Sequence, residues 1–226
     1  MKSRPIRFLT IPGGRFWMGG SEHDKFAGSV EMPRHEVEIA TFEMSAHPVT
    51  FGQLHELLSE ANAQPSDFPA TRIDFHQACA FAGKLAARLP TEAEWEYACR
   101  AGSSSVFPHG ANLQPDDANF LYDEFGEPVG SGMATPIGSF PPNNFGLYDM
   151  IGNVCEWTAD VWHPAYQNAP ADGSAWLSGG RQGCRVIRGG AWDHLPRLLR
   201  ASWRDWAPES ARWDNLGFRV ARDIPR

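Results

Sequence analysis

The alternation of apolar and polar residues predicts β-strands in the first part of the chain. Residues 8–18 alternate around a Pro-Gly-Gly sequence, a pattern typical of a strand or a hairpin. Residues 35–44 alternate with period two, which predicts one half-buried strand. The polar stretch of residues 19–33 lies between these two segments and is expected to form a loop.

Capping signals predict three helices after these strands. Thr50 precedes leucines at helical spacing, which predicts a helix that ends near Glu60, before a loop over residues 62–69. Two further helices are expected to begin at capping boxes, because a short polar residue is followed three positions later by Gln or Glu. These boxes are Asp74 with Gln77, followed by the one-sided apolar stripe of Ala78, Phe81, Ala82 and Leu85, and Thr91 with Glu94, in a helix that Gly102 ends.

Regular periodicity fades beyond residue 103. Loops are expected to dominate, with short strands near residues 186–188 and 217–221 and an exposed loop over residues 176–183. Strands, then helices, then a loop-rich β region together indicate an α+β fold.

Composition narrows the class of protein and of partner. The 226 residues are 42% apolar and 21% charged, which fits a single globular domain over residues 1–226. The net charge is −7 and there is no basic stripe, so we expect no nucleic-acid partner. No run of about 18 apolar residues and no signal-peptide pattern occur, so no membrane partner and a cytoplasmic location are expected. The four cysteines form no C-x-x-C pair, which disfavours a thiolate zinc site.

Arginine and tryptophan are concentrated near the C-terminus. Pairing with nearby carboxylates is the first interpretation of the arginines, and an anion subsite is the second. The tryptophans either cover a small core or line a groove for a ligand. The arginines are Arg197, Arg200, Arg204, Arg212, Arg219 and Arg222; the carboxylates are Asp205, Glu209, Asp214 and Asp223; the tryptophans are Trp192, Trp203, Trp206 and Trp213.

Several motifs, in order, resemble the formylglycine-generating enzyme family, also called sulfatase-modifying factors. The resemblance extends over residues 11–222 and implies a C-type-lectin-like α+β fold, with long functional loops on a small irregular sheet scaffold. The motifs are IPGGRFWMG at residues 11–19, PVT at 48–50, RLPTEAEWEYA at 88–98, GLYDMIGNVCEW at 146–157, RGGAW at 188–192 and DNLGFR at 214–219.

The resemblance implies a structural calcium site in residues 149–156. Side chains of Asp149 and Glu156 and the carbonyls of Gly152 and Val154 would bind the ion, which suits a hard cation. The alternative is that both carboxylates cap turns and pair with arginines. A second family site would start at residues 118–119 and continue in 129–132, where no carboxylate stands in the expected place; Asp123, Glu124 and Glu127 are the possible substitutes.

The cysteine pair that binds copper(I) in the resembled enzymes is absent. The segment after Gly189-Gly190 contains no cysteine, and His194 falls where the first catalytic cysteine is expected. Formylglycine formation by the two-thiolate copper site is therefore not expected. Cys155 with His194 could form a soft two-ligand site, or Cys155 is a small buried hydrophobe and His194 a solvated loop residue. The His-x-x-x-His-x-Glu iron triad of related sulfoxide synthases is also missing.

Two main hypotheses about function follow. The first is an oxidoreductase-type or maturation factor, with its redox metal left open, that acts on a small molecule or peptide in the C-terminal groove. The second is a non-catalytic ligand- or protein-binding module, as in the diversity-generating-retroelement variable proteins that share this fold. A degenerate accessory protein is a third option. The proposed catalytic residues are His194, Arg204, Asn215 and Cys155, and the proposed ligand-binding residues are Trp192, Asp193, Trp203, Trp206, Arg212 and Trp213.

Overall fold

The computed structural model describes residues 4–22, 24–58, 66–123 and 125–224. Three α-helices, two short 3-10 helices and nine short strands make up the regular structure of these residues. The helices are α1 (Phe51–Leu58), α2 (Phe75–Lys84) and α3 (Glu92–Arg100). The strands are β1 (Phe8–Ile11), β2 (Gly14–Met18), β3 (His35–Ile39), β4 (Phe42–Ser45), β5 (Cys155–Trp162), β6 (Arg181–Arg188), β7 (Arg204–Pro208), β8 (Leu216–Gly217) and β9 (Ala221–Asp223).

The helix starts confirm the capping signals in the sequence. Gln53 N–H donates to Thr50 Oγ1 at 3.2 Å, and Gln77 N–H donates to Asp74 Oδ1 at 2.9 Å. At the start of the third helix, the Glu94 N–H donates to Thr91 Oγ1 at 3.0 Å. Each bond satisfies an N–H that the first helical turn leaves unpaired. The predicted end of α1 near Glu60 and the first half of the loop over residues 62–69 lie outside the described residues.

The N-terminal strands pair differently from the sequence prediction. Residues 8–18 do not fold back on themselves as a hairpin, and residues 35–44 are not one strand. Instead β1 pairs with β4 in one sheet, and β2 pairs with β3 in a second sheet. Residues 8–18 and residues 35–45 therefore run antiparallel to each other, and both pass from one of these sheets to the other. The passage occurs at Gly13 and Thr41, where a Cβ on Gly13 would lie 2.9 Å from the Ile39 carbonyl oxygen. Both segments are interrupted at this close backbone contact, between β1 and β2 and between β3 and β4.

A four-stranded sheet in the order β7-β6-β5-β8 carries the candidate site residues. Strand β5 pairs antiparallel with β6 and parallel with β8, while β6 pairs antiparallel with β7. Residues 204–208 were predicted to be loop and are strand β7, and β6 already begins at Arg181, inside the predicted loop of residues 176–183. The first three residues of β6 are exposed, and β7 alternates between buried and exposed positions, so neither segment shows a continuous apolar run in the sequence.

The core surrounds α3 and β5. Trp95 of α3 and Trp157 of β5 are fully buried, each in a separate apolar cluster. Every residue of α3 is buried, although the helix carries three glutamates and an arginine. The charges of α3 are paired with other side chains of the protein. One of these partners, Arg204, was predicted to be a catalytic residue.

Candidate functional site

A tight turn after β6 positions the candidate catalytic segment. Gly189 and Gly190 have φ angles of +93° and +70°, and a Cβ on Gly190 would lie 2.6 Å from the Leu198 carbonyl oxygen. Only glycine fits such a left-handed, crowded position. The chain then continues through Trp192, whose N–H donates to the Asn153 carbonyl at 3.0 Å, and His194, whose carbonyl accepts the Leu121 N–H at 3.2 Å.

His194, Asp193 and Asn215 lie together at the surface. Asn215 Nδ2 donates to both carboxylate oxygens of Asp193, at 2.9 and 3.0 Å. Asp193 Oδ1 lies 3.9 Å from His194 Nε2, and the His194 side chain is 22% exposed. His194 Nδ1 is buried and has no hydrogen-bond partner among the described residues. The structure thus brings three predicted site residues into one polar group.

Burial sets the ionisation of His194. It lowers the pKa of the imidazole, against the opposing charges of Asp193 and Asp205. The ring is therefore neutral at pH 7 and can accept a proton. Trp203, buried beside it, meets the ring edge-to-face with the ring centroids 5.6 Å apart. The sequence did not indicate that Asp205 influences His194. Its position one residue before Trp206 was the only hint, and that segment was interpreted as a loop.

Cys155 lies beneath this group but is not available as a thiolate. The residue is only 2% exposed and belongs to the apolar cluster that contains Trp157, Trp203 and Leu216. Burial raises the pKa of its thiol well above the usual value, and the charge of Asp193 adds to the effect. A neutral thiol is a poor nucleophile and a poor metal ligand. The interpretation of Cys155 as a small buried hydrophobe therefore fits its surroundings better than a catalytic role.

The structure contradicts the catalytic assignment of Arg204. Its side chain is fully buried and forms a bidentate ion pair with Glu92, with N–O distances of 2.7 and 2.8 Å. Its Nη1 donates to the carbonyls of Val30 and His163, both at 2.9 Å. A guanidinium whose three nitrogens are all engaged inside the core has no surface left for a ligand. Arg204 joins β7 to α3 instead.

The remaining predicted ligand-binding residues are spread over several environments. Trp192 is half-buried, and Trp213 is 43% exposed. Trp206 is half-buried beneath Arg181, whose guanidinium carbon lies 3.8 Å from the ring centroid. Arg212 pairs with Asp74, with an N–O distance of 2.7 Å, and stays exposed. Trp213 therefore offers the freest aromatic surface of this set.

Five of the six C-terminal arginines are paired, as the first interpretation held, but with other carboxylates than those predicted. Arg200 pairs with Glu31 and Asp24, both in the N-terminal part of the chain. The four named carboxylates include Glu209, which pairs with Arg185, and Asp223, which pairs with Arg88. The other new pairs are Arg204–Glu92, Arg219–Glu156 and Arg222–Glu43. Arg197 is exposed and forms no ion pair with the described residues, so the anion-subsite interpretation applies to this arginine alone.

The predicted calcium ligands meet near Arg219. Asp149 is buried, its Oδ1 has no hydrogen-bond partner among the described residues, and burial raises its pKa to about 6. Glu156 is also buried, and it accepts hydrogen bonds from Arg219 Nε at 2.6 Å and Trp95 Nε1 at 2.7 Å. Two carboxylates facing one guanidinium leave a net charge of −1. The free oxygen and this charge fit a cation, with Asp149 as the main side-chain ligand and Glu156 held by its ion pair.

At the second predicted calcium site, the polar side chains bond to the backbone of the surrounding loop. Asn119 Nδ2 donates to the Met133 carbonyl at 2.9 Å and so ties the two predicted segments together. Asp123 Oδ1 accepts the N–H groups of Phe125 and Glu127, both at 2.9 Å. Asp123 thus stabilises its own turn, Glu127 is exposed, and Glu124 lies outside the described residues. Among the described residues, Asn119 is bonded to a backbone carbonyl and Asp123 to backbone N–H groups of its own turn, so neither contact joins a carboxylate to Asn119.

Two negative observations apply to the described part of the chain. No group of three or more His, Cys, Asp and Glu side chains is arranged to hold a metal ion there. A calcium ion at Asp149 would accordingly depend on backbone carbonyls, such as those of Gly152 and Val154. None of the helices in the described ranges is both long and apolar enough to cross a membrane.

Fold and motifs together define an α+β domain with a C-type-lectin-like architecture and a loop-borne polar site. The family described as sulfatase-modifying factor enzyme 1-like domain matches residues 2–224. The chain belongs to this family.

The similar proteins include one that is named as an inactive enzyme and one that is named as a kinase. The inactive C-alpha-formylglycine-generating enzyme 2 of Mus musculus is 30% identical, over 96% of this chain and 85% of its own length. The serine/threonine-protein kinase pkn1 of Chlamydia caviae is 29% identical over 99% of this chain, which spans only 39% of that kinase. Among solved structures, PvdO from Pseudomonas aeruginosa aligns with a TM-score of 0.86 and 34% identity, over 96% of this chain and 94% of PvdO.

Proposed function

We propose that this chain is an oxidoreductase-type enzyme that acts on a small molecule or peptide at the His194 site. It is not, in this proposal, a copper–cysteine formylglycine synthase. The observation that carries the proposal is the position of the His194 imidazole, 22% exposed and with its pKa lowered by burial, beside a carboxylate that Asn215 holds in place. An imidazole that is neutral at pH 7 and has a fixed carboxylate neighbour is suited to accept a proton from a bound substrate.

The proposed reaction is a two-electron oxidation with O2 as the electron acceptor. The substrate loses two electrons and two protons, and O2 gains them to form hydrogen peroxide. His194 takes one of the substrate protons, and Asp193 stabilises the resulting imidazolium at 3.9 Å. The buried thiol of Cys155 takes no part. A redox metal or organic cofactor would supply the electron-transfer step, and its identity is open.

The first experiment is elemental analysis of the purified protein by plasma mass spectrometry, followed by O2 uptake with a panel of oxidisable aromatic compounds and thiol peptides. We expect His194→Ala to lower O2 uptake by roughly 10²–10⁴-fold, as loss of a general base does. His109→Ala is the matched control, because His109 is an exposed histidine in another loop. Unchanged uptake in His194→Ala, with intact folding, would remove the proposal.

A second candidate function is a binding module without catalysis. Trp213, 43% exposed beside the exposed Arg212, is the observation that favours it, because tryptophan and arginine anchor many binding surfaces. The name of the inactive murine relative is compatible with it. The ligand would be a small molecule, peptide or protein held by the surface around Trp213.

The binding function predicts a loss of affinity in a Trp213→Ala variant. Any ligand found by screening should bind this variant with ~2 kcal/mol less affinity, measured by isothermal titration calorimetry. Trp17→Ala is the control, since Trp17 is 53% exposed in the N-terminal sheet. Equal affinity in the wild type and in Trp213→Ala would exclude this surface.

We also propose that calcium binds at Asp149 and stabilises the loop of residues 149–156. The unpaired Oδ1 of Asp149 and the net negative charge beside Arg219 support this proposal. The role is structural, because the ion would fix the backbone that leads into β5.

A further inference from the structure

An apolar surface protrudes beside the His194 segment. It consists of Tyr122, Phe125, Val129 and Met133, which we call the loop surface. Phe125 is 82% exposed and Met133 61% exposed, while Tyr122 and Val129 are more than one third exposed. Apolar side chains gathered in one short surface segment mark interaction sites more often than singly scattered ones do.

Hydrogen bonds among the described residues hold the segment that carries the loop surface. Asp123 Oδ1 accepts two backbone N–H groups, and the Val129 N–H donates to the Leu121 carbonyl at 3.1 Å. A Cβ on Gly130 would lie 2.0 Å from the Phe120 carbonyl oxygen, so the loop base is closed by direct backbone contact. A partner that binds here meets a preformed loop and loses little free energy to ordering it.

The base of this loop is joined to the candidate site. The Leu121 N–H donates to the His194 carbonyl at 3.2 Å, and Asn119 Nδ2 lies 3.4 Å from Asn153 Oδ1. Asn153 in turn accepts the Trp192 N–H. A molecule bound to the loop surface therefore lies at the edge of the His194 site.

The charged residues of the loop indicate which kind of partner could bind the loop surface. The chain contains no lysine or arginine from residue 101 to residue 180, so no cation of its own sequence neighbourhood offsets the carboxylates of this loop. Asp116 and Glu127 are exposed, and Asp123 is half-buried within the loop itself. An apolar surface with carboxylates in its own loop favours basic chains over anionic membranes.

We propose that the loop surface docks a peptide segment that combines basic and apolar residues. Phe125 and Met133 bury the apolar side chains of the partner, and the carboxylates of Asp123 and Glu127 face its lysines or arginines. This docking function is separate from proton transfer at His194 and does not depend on it.

The test uses synthetic fluorescein-labelled peptides of alternating Lys/Arg and Leu/Phe, with Glu-for-Lys/Arg peptides of the same apolar content as the charge control. Binding to the full chain is followed by fluorescence anisotropy at low and high salt. We expect binding of the basic peptide only, weakened by salt, and an affinity at least tenfold lower in Phe125→Ser/Met133→Ser. Glu127→Gln should give a smaller loss that disappears at high salt.

Two controls separate this inference from the proposed function. Leu177→Ser removes a 58% exposed apolar side chain elsewhere and should leave the peptide affinity unchanged. His194→Ala should also bind the peptide as the wild type does, even if it abolishes O2 uptake. Equal affinity in the loop variant and in Leu177→Ser, or equal binding of basic and acidic peptides, would overturn the proposal. Phe125-dependent sedimentation with phosphatidylglycerol vesicles, without peptide binding, would also overturn it.

Discussion

At the scale of single residues, Asp149 is a buried carboxyl group with one oxygen unpaired within the described chain. Burial raises its pKa to about 6, and the nearby charge of Glu156 adds to this effect. Arg219 offsets only one of the two carboxylates, since its Nε and Nη2 both donate to Glu156. A bound cation would satisfy the free oxygen and remove the remaining negative charge.

Calcium removal should therefore lower the stability of the wild type. We expect chelation by EGTA to lower the midpoint of thermal unfolding, because binding to the native state alone stabilises it by mass action. Asp149→Ala should no longer respond to calcium or chelator. Asp172→Ala serves as the control, because Asp172 is exposed and bonded only to its own turn. A wild-type melting curve that is identical with and without EGTA would contradict calcium at this position.

At the scale of elements, Thr91 determines where α3 begins and what holds it. Its Oγ1 accepts the Glu94 N–H at 3.0 Å and donates to the Gly173 carbonyl at 2.9 Å. Glu94 Oε2 reaches back to the Thr91 N–H at 2.9 Å. One hydroxyl thus caps the helix and fastens the loop of residues 172–175 to it.

Thr91→Ala should destabilise the protein by ~1–2 kcal/mol, because it removes the cap and leaves the buried Gly173 carbonyl without its donor. Thr91→Ser keeps the hydroxyl and should lose much less. Urea unfolding followed by circular dichroism measures both. If the Ala and Ser variants unfold at the same urea concentration, the hydroxyl does not have this role.

The sequence predicted this element well, because a capping box is a local pattern that needs no tertiary contact. It predicted β7 poorly. Only pairing with β6 makes a strand of residues 204–208, where Arg204 points into the core and Asp205 to solvent. Helix α3 ends at Arg100, and both Ala101 and Gly102 take positive φ angles, +46° and +85°, so the helix end predicted from Gly102 agrees with the structure to within two residues.

At the scale of the whole molecule, a buried ion network joins α3 to the four-stranded sheet. Glu92 pairs with Arg204, and Glu96 pairs with Arg188 at 2.5 Å and with Arg100 at 2.9 Å. Tyr166 Oη donates to Glu92 Oε1 at 2.8 Å. These groups are nearly or fully buried, so each charge depends on its partner in a medium of low dielectric constant.

Arg204→Met should cost ~3–5 kcal/mol of unfolding free energy, because it leaves Glu92 buried with its bidentate partner removed. The double variant Glu92→Gln/Arg204→Met removes both charges and should be more stable than Arg204→Met. Urea unfolding of the wild type, both single variants and the double variant gives the coupling energy. A double variant that is no more stable than Arg204→Met would contradict a structural ion pair.

The sequence by itself determined the helix starts, the family and the lack of any cysteine in the segment after Gly189-Gly190. These features are local patterns or depend on the presence of particular residues, and they need no information about distant partners. The segment around His194 was likewise found from the sequence, because its motif fixes it after Gly189-Gly190.

Only the tertiary structure decided which charged residues are structural and which face solvent. Arg204 and Asn215 are alike in the sequence, as polar residues near the C-terminus. One is buried against Glu92, 112 positions away, and the other holds Asp193 at the surface. An ion pair depends on the distance in space between its members and on the loss of water around them, and neither can be read from positions along the chain.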